Sequence, residues 1–174
     1  MQDVYIVSAK RTAVGSLNGG LSSKHAHELG SEVIKSIISE NKLDATSISE
    51  VILGQVLVGG HGQNPARQAA IGAGIPHEVP AYGISKVCGS GLKSINLASQ
   101  AIASGESDLI IAGGQESMSR AMHASYIRAG VKMGATSLID TMIQDGLTDA
   151  FSGEHMGITA ENVAEKYNIS REQQ

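Results

Sequence analysis

The chain has 174 residues, of which 41% are hydrophobic, and its formal net charge of −4 is spread over interspersed charges. These values suit one globular domain with a sizeable core, and the lack of a basic run or face argues against nucleic-acid binding. A single cysteine and the absence of any long apolar stretch predict a reducing, cytoplasmic location and no membrane insertion.

Short apolar runs alternate with helical patterns over the first 114 residues. Four strands are predicted, at 4–9, 50–58, 79–87 and 107–114. Three helices are predicted between them, at 26–38, 62–74 and 88–104. Asn64 and Pro65 suit the start of the second helix and Gly105 suits the end of the third. This βαβαβαβ order predicts an α/β fold in which a mostly parallel sheet is covered by helices.

The composition shifts after the fourth predicted strand toward Met, Ser, Gly and short polar segments. We therefore expect two regions, residues 1–117 and residues 118–174, the second being part of an insertion or cap. Helices are predicted in it at 137–146 and at about 158–168.

The last five residues, SREQQ, carry a helix-start signal. Ser170 and Gln173 have the spacing of a capping box. We interpret the chain as a truncated piece of a longer protein, because the sequence stops where a helix should begin. A frayed natural tail is the alternative interpretation.

Cys88, the only cysteine, lies at a predicted junction of strand and helix and is followed by Gly89, Ser90 and Gly91. A helix N-terminus favours a thiolate over a thiol, and the thiolate is the nucleophile. The small neighbours leave room for an acyl group to approach. A buried cysteine that only fills the core is the other interpretation, and position alone favours neither.

Many segments of the chain resemble the thiolase family. They are SKVCGSGLKSINLASQAI, RTAVGSLNGGL, ELG, EVILGQVL, GQNPARQAA, AGGQESMS, GVKMG, IDTMIQDGLTDAF and HMGITAENVAEKY. They occur in family order without large gaps, so the resemblance covers essentially the whole chain and corresponds to the N-terminal part of a short-chain, biosynthetic-type enzyme.

The resemblance implies that Cys88 is the nucleophile that takes an acyl group from CoA. Its backbone N–H would contribute to the oxyanion hole of that step. In this family the activating histidine, a second, acid/base cysteine and a water-holding asparagine lie in the C-terminal half, beyond residue 174. The final strand of the N-terminal half-fold also returns only after the cap.

Further roles follow from the same resemblance. His155 and Met156 would line the acyl pocket, where a methionine excludes long acyl groups, and Leu147 would contact the pantetheine arm. The implied reaction is acetyl-CoA C-acetyl transfer, which converts two acetyl-CoA reversibly into acetoacetyl-CoA and CoA. Coenzyme A enters as part of the substrate, with no tightly bound cofactor. The loop at 129–135 would form tetramer contacts, which implies a homo-oligomer, a dimer of dimers.

Two alternatives remain open at this stage. A ketoacyl-carrier-protein synthase uses a similar cysteine on a helix, although the HMGITAEN and GVKMG segments argue against it. The chain could also be a non-catalytic fragment or assembly module. No metal site is predicted, because His25 and His27 lack further ligands at suitable spacing.

Overall fold

The computed structural model describes residues 2–174 and divides into two compact units, Met1–Arg120 and Ala121–Gln174. We describe each unit by itself and call them unit 1 and unit 2. Within the described residues, no helix combines the length and apolar character needed to cross a bilayer.

Unit 1 alternates helices and strands. In chain order they are α1 (Ala26–Asn41), β1 (Glu50–Gly54), α2 (Pro65–Gly72), β2 (Ala81–Ile84), α3 (Ser90–Ser104) and β3 (Ile110–Gly114). Short 3-10 turns occupy Ala45–Ser47 and Met118–Arg120. The α/β class with a parallel sheet is confirmed.

The predicted helix boundaries have clear local causes. The Asn64 side chain accepts a hydrogen bond from Arg67 N at 3.0 Å, and Pro65 follows as the first residue of α2. Gly105 ends α3 in the left-handed conformation, with φ of 83°. Both ends lie where the sequence predicts them.

The sheet has the strand order β2-β1-β3, and both pairs are parallel. Val51 pairs with Ala81 on one side and with Ile111 on the other. The connections from β1 to β2 and from β2 to β3 run in opposite directions across the sheet. Right-handed crossovers therefore place α2 and α3 on opposite faces.

Packing follows this arrangement. α2 packs on β1 and β2 while α1 packs on α2, and α3 packs on β1 and β3. The core on the α2 face is formed by Ile34, Ile48, Val51, Leu53, Ala66, Ala69, Ala70, Ile75, Val79 and Ile111. Ile52 is fully buried and lies on the α3 face, because successive strand residues alternate between faces.

The predicted strand at 4–9 is wrong in this structure. Residues 4–9 join no strand of the described chain, and Tyr5, Ile6 and Val7 are exposed. Side-chain bonds hold the segment instead, including Asn41 Nδ2 to Ser8 Oγ at 3.1 Å. A strand requires a paired backbone, so an apolar run without a partner strand stays extended but unpaired.

Unit 2 begins with a two-stranded antiparallel pair, β4 (His123–Ala124) and β5 (Ile139–Asp140). The helix predicted at 137–146 is a short π-helical turn at Met142–Leu147. It starts late because residues 139 and 140 pair with β4, and Asp140 Oδ1 then accepts from Met142 N at 2.9 Å.

Helix α4 (Met156–Tyr167) follows and begins two residues before the predicted start. Beyond it, the predicted capping-box bonds form at residues 170–173. Ser170 N donates to Gln173 Oε1 at 2.7 Å, and Gln173 N donates to Ser170 Oγ at 3.4 Å.

Candidate active site

Cys88 lies in the tight turn that joins β2 to α3, and it is exposed. The interpretation as a buried core cysteine is therefore wrong. Gly89 N donates to Lys86 O at 3.0 Å, and Ser90 N donates to Val87 O at 3.1 Å. These bonds fold residues 85–89, which we call the cysteine turn, immediately before the first helical residue. An exposed thiol next to a helix N-terminus is accessible to a substrate.

The backbone inside the cysteine turn is unusual at Val87. Its φ of 47° lies in the left-handed region, which a β-branched residue occupies only at a cost in free energy. The Val87 side chain is 50% exposed, so burial of that side chain does not fix the conformation.

A side-chain hydroxyl bonds to the backbone next to this residue. Ser90 Oγ accepts from Lys86 N at 2.7 Å and donates to Val87 O at 2.6 Å. Ser90 is only 4% exposed. The sequence analysis assigned this serine no role beyond small size, and only the folded turn shows what its hydroxyl contacts.

The first turn of α3 packs directly against the sheet. A Cβ on Gly54, the last residue of β1, would come within 2.4 Å of Ser90 C and 2.6 Å of Gly91 N. Gly91 in turn faces Gly114, where the nearest backbone atom would lie 3.7 Å from an added Cβ. A Cβ on Gly91 would make ordinary van der Waals contact at that distance, whereas a Cβ on Gly114 would come within 3.3 Å of Gly91 Cα. The contact therefore requires a glycine at position 114, and the role of Gly91 in acyl-group access stays a prediction.

The carboxyl ends of β1 and β3 are tied together by polar side chains, of which Gln55 and Gln115 are buried and Glu116 is half-buried. Glu116 Oε2 accepts from Val56 N at 2.8 Å and from Leu57 N at 3.3 Å. Gln115 Nε2 donates to Gln55 Oε1 at 2.9 Å. These bonds fix the carboxyl edge of the sheet, and the cysteine turn follows β2 at the same edge.

A cavity of about 1050 Å³ lies along α1 and α2. Its charged lining includes Glu28, Lys35 and Arg67, and it contains no residue of the cysteine turn. The exposed thiol of Cys88 therefore does not open into this cavity, and we assign the cavity no part in the chemistry.

The other predicted site residues lie together in unit 2. Thr148 and His155 form an antiparallel bridge. Leu147 directly precedes this bridge in the chain and Met156 directly follows it, so the two residues flank the base of the loop. Leu147 is half-buried, whereas His155 and Met156 are exposed. Three of the four predicted site residues therefore belong to one hairpin-like loop, and Cys88 belongs to unit 1.

His155 caps helix α4. Its Nδ1 accepts from Gly157 N at 2.9 Å, so the ring proton is assigned to Nε2. The cap leaves Nε2–H free to donate to another group. Within residues 2–174, no group of three or more His, Cys, Asp or Glu side chains is arranged to hold a metal ion.

Comparison with known proteins adds to this geometry. Residues 4–174 match the family described as "Thiolase, N-terminal domain". The chain belongs to the thiolase family. This match covers both units and confirms the resemblance that the sequence analysis identified.

Curated thiolase relatives are similar over nearly the whole chain. The acetyl-CoA acetyltransferase of Pseudomonas aeruginosa is 57% identical over 175 residues, 100% of this chain and 44% of the relative. The acetyl-CoA acetyltransferase of Rhizobium meliloti is 56% identical, with 98% and 44% covered. The cytosolic acetyl-CoA acetyltransferase of Rattus norvegicus is 55% identical, with 98% and 43% covered. The chain thus spans less than half the length of these relatives.

Proposed function

We propose that the protein is an acetyl-CoA C-acetyltransferase that joins two acetyl-CoA into acetoacetyl-CoA and CoA, reversibly, with Cys88 as the nucleophile. The observation that carries the proposal is the exposed thiol in a tight turn at the start of α3, in a chain that belongs to the thiolase family. The relatives named acetyl-CoA acetyltransferase support acetyl-CoA as the substrate. The relative named cytosolic supports a cytoplasmic location.

In the proposed first step, the Cys88 thiolate attacks the thioester carbonyl carbon of acetyl-CoA. The backbone N–H of Cys88 stabilises the oxyanion that forms. The carbon–sulfur bond to CoA then breaks, and the CoA thiolate leaves and takes up a proton. The product is an acetyl thioester on Cys88. The substrate supplies the coenzyme, so this step requires no bound cofactor.

In the proposed second step, a second acetyl-CoA loses a methyl proton to a base. Its carbon attacks the acetyl-cysteine carbonyl, a carbon–carbon bond forms, and Cys88 leaves as the thiolate. We assign the base to the remaining length of the protein, as the resemblance implies. We expect this chain alone to accept an acetyl group without catalysing thiolysis of acetoacetyl-CoA, because acid–base partners typically contribute factors of about 100 to 10,000.

We assign the choice of acyl group to the loop in unit 2. Met156 closes the acyl pocket, Leu147 contacts the pantetheine arm, and His155 presents Nε2–H while its Nδ1 caps α4. We propose that residues 1–117 form the nucleophile half-domain and residues 118–174 part of the cap. Its loop at 129–135 would form tetramer contacts in a homo-oligomeric full-length protein.

The nucleophile assignment is tested by incubating the chain with acetyl-CoA and measuring its intact mass. Cys88 is the only cysteine, so one added acetyl group that hydroxylamine removes identifies the thioester. Cys88→Ala should remain unmodified and should abolish acetyl transfer in the full-length enzyme. Turnover by a folded Cys88→Ala enzyme would remove Cys88 from the mechanism.

The acyl-pocket assignment is tested by Met156→Ala in the full-length enzyme. The larger pocket should raise the activity with longer acyl-CoA relative to acetyl-CoA. Met122→Ala is the matched control, because Met122 lies in the same unit and is 42% exposed while Met156 is 44% exposed. An unchanged substrate ratio in Met156→Ala would remove Met156 from the pocket wall.

A further inference from the structure

Val87 occupies a conformation that its own side chain opposes. Its φ is 47°, a conformation that costs a β-branched residue free energy, and half of its side chain remains exposed. Some other interaction must hold this residue, since a relaxed Val87 would change the direction in which the next residue, Cys88, leaves the turn.

The Ser90 hydroxyl makes that interaction, because it bonds on both sides of the strained residue. It accepts from Lys86 N, one residue before Val87 in the cysteine turn, and it donates to the carbonyl of Val87 itself. The two distances, 2.7 Å and 2.6 Å, are those of well-formed hydrogen bonds. Both bonds are lost if the hydroxyl is removed.

Ser90 can act as a fixed point because β1 holds it. The missing Cβ of Gly54 allows the backbone of Ser90 to lie against the end of the strand, and Ser90 is buried there. A chain of contacts therefore runs from the sheet to Ser90, from Ser90 to Val87, and from Val87 to Cys88.

We propose that Ser90 is a positioning residue for the nucleophile: its hydroxyl holds Val87 in the left-handed conformation and thereby sets the placement of Cys88. The inference rests on the proposed function, whose nucleophile is Cys88. Ser90 touches no reacting atom, and its contribution is the geometry of the cysteine turn.

The decisive experiment is a double-mutant cycle of Ser90→Ala with Val87→Gly in the full-length enzyme. Ser90→Ala should lower kcat by about 10- to 100-fold with little change in KM, the scale of a small misplacement at a reacting centre. Glycine adopts positive φ without a penalty, so adding Val87→Gly should restore most of the lost kcat. A purely structural role for Ser90 would give no rescue.

Ser94→Ala is the matched control. Ser94 lies one turn further along α3, is fully buried, and its Oγ lies 2.6 Å from Gly91 O and 2.7 Å from Gly113 O. It has no contact with the cysteine turn among the described hydrogen bonds. Its substitution should lower stability, leave kcat of the folded enzyme near the wild-type value, and show no rescue by Val87→Gly.

A second readout does not depend on acetyl transfer. Iodoacetamide alkylates Cys88, and trypsin releases it in the peptide 87–93, because Lys86 and Lys93 flank it. The alkylation rate, measured across pH, should fall several-fold in Ser90→Ala and recover in the double variant. If Cys88 proves not to be the nucleophile, the proposed function fails, but this readout still tests whether Ser90 sets the placement of the thiol.

The proposal is overturned if folded Ser90→Ala keeps wild-type kcat and alkylation rate, or if Val87→Gly restores neither. If Ser90→Ala fails to fold, the double variant still decides: a folded, reactive double variant is the expected result. A double variant that also fails to fold would show that Ser90 is needed for more than Val87, against the proposal.

Discussion

The two units differ in what holds their site residues in place. Within residues 2–174, every buried residue lies in unit 1, and unit 2 has none. The cysteine turn is fixed by a helix packed on a sheet at backbone contact. The loop that carries Leu147, His155 and Met156 is fixed by local hydrogen bonds. Cys88, the proposed nucleophile, should therefore respond to changes in the core, and the proposed acyl-pocket residues should respond to changes in their own loop.

The largest expected effect comes from truncating the core of unit 1. Ile52→Ala removes a fully buried side chain at the centre of the sheet and should lower the free energy of unfolding by about 2–5 kcal/mol. Val163→Ala in α4 is the counterpart in unit 2. Val163 is 45% exposed, so its loss should cost about 0.5 kcal/mol. Urea unfolding of each variant measures both values, and equal losses would contradict the comparison.

A second expected effect concerns the contact of α3 with β1. Gly54→Ala adds a Cβ that must displace backbone atoms of Ser90 and Gly91, at a cost of about 1–3 kcal/mol. It should also slow the alkylation of Cys88. Gly59→Ala is the control, because a Cβ there meets nothing within 4 Å, and it should change stability by less than about 0.5 kcal/mol. Equal unfolding midpoints for the two variants would rule out the close contact.

How far the sequence predicts this architecture depends on how local each signal is. Asn64, Pro65 and Gly105 act through their own hydrogen bonds and dihedral angles, so they predict the ends of α2 and α3. The strand at 4–9 depends on a partner strand, which local pattern does not supply, and its prediction was wrong. Cys88 was found at the correct junction of strand and helix.

The hydrogen bonds in the turn that carries Cys88, and those at the nearby edge of the sheet, could not be predicted from the sequence pattern. The positive φ of Val87 occurs together with two bonds of Ser90 Oγ, which accepts from Lys86 N and donates to Val87 O. Ser90 and Glu116 act through bonds to the backbone of residues brought near them by the fold. A serine between two glycines signals small size, and only the packed helix shows which atoms its hydroxyl reaches.

A third expected effect is the pH dependence of unit 1. Burial lowers the pKa of His61, and nearby His25, His27 and Arg120 lower it further. Burial also lowers the pKa of His27; His25 adds to this effect and Glu28 opposes it. His25 and His27 lie at the start of α1 and are half-buried, and His61 lies in the turn before α2.

The direction of this pH dependence follows from the different proton affinities of the folded and unfolded states. The unfolded chain binds protons at a pKa of about 6.5, whereas the folded state binds them only at lower pH. The free energy of unfolding should therefore fall as pH drops below about 6.5, until the folded state also becomes protonated. His61→Gln should reduce this pH dependence. His77→Gln is the control, because the His77 side chain is 81% exposed. Urea unfolding at several pH values measures how the free energy of unfolding changes with pH. If His61→Gln leaves that pH dependence unchanged, His61 is not its cause.

The smallest expected effect lies in the loop of unit 2 and depends on Asp149. Its Oδ1 accepts from Phe151 N at 2.9 Å and from Ser152 N at 2.6 Å, and its backbone N donates to Glu154 O at 2.9 Å. The N–H groups of Ser152 and Phe151 lower the pKa of the Asp149 carboxyl. The carboxylate therefore orders the loop above the unfolded pKa of about 3.9, and this ordering is lost as pH falls through the folded pKa.

Asp149→Ala should raise amide hydrogen exchange at residues 151 and 152 several-fold, because both amides lose their acceptor. Asp149→Asn keeps an oxygen acceptor and should stay closer to wild type. The amides of β1 should be unaffected in both variants, since the carboxylate supports only its own loop. Exchange that rose in β1 as well would show that this loop of unit 2 is coupled to the core of unit 1, and the contrast between the two units would then fail. Exchange that rose only near residues 151 and 152 would show that Asp149 orders its own loop and that the core around Cys88 does not depend on it.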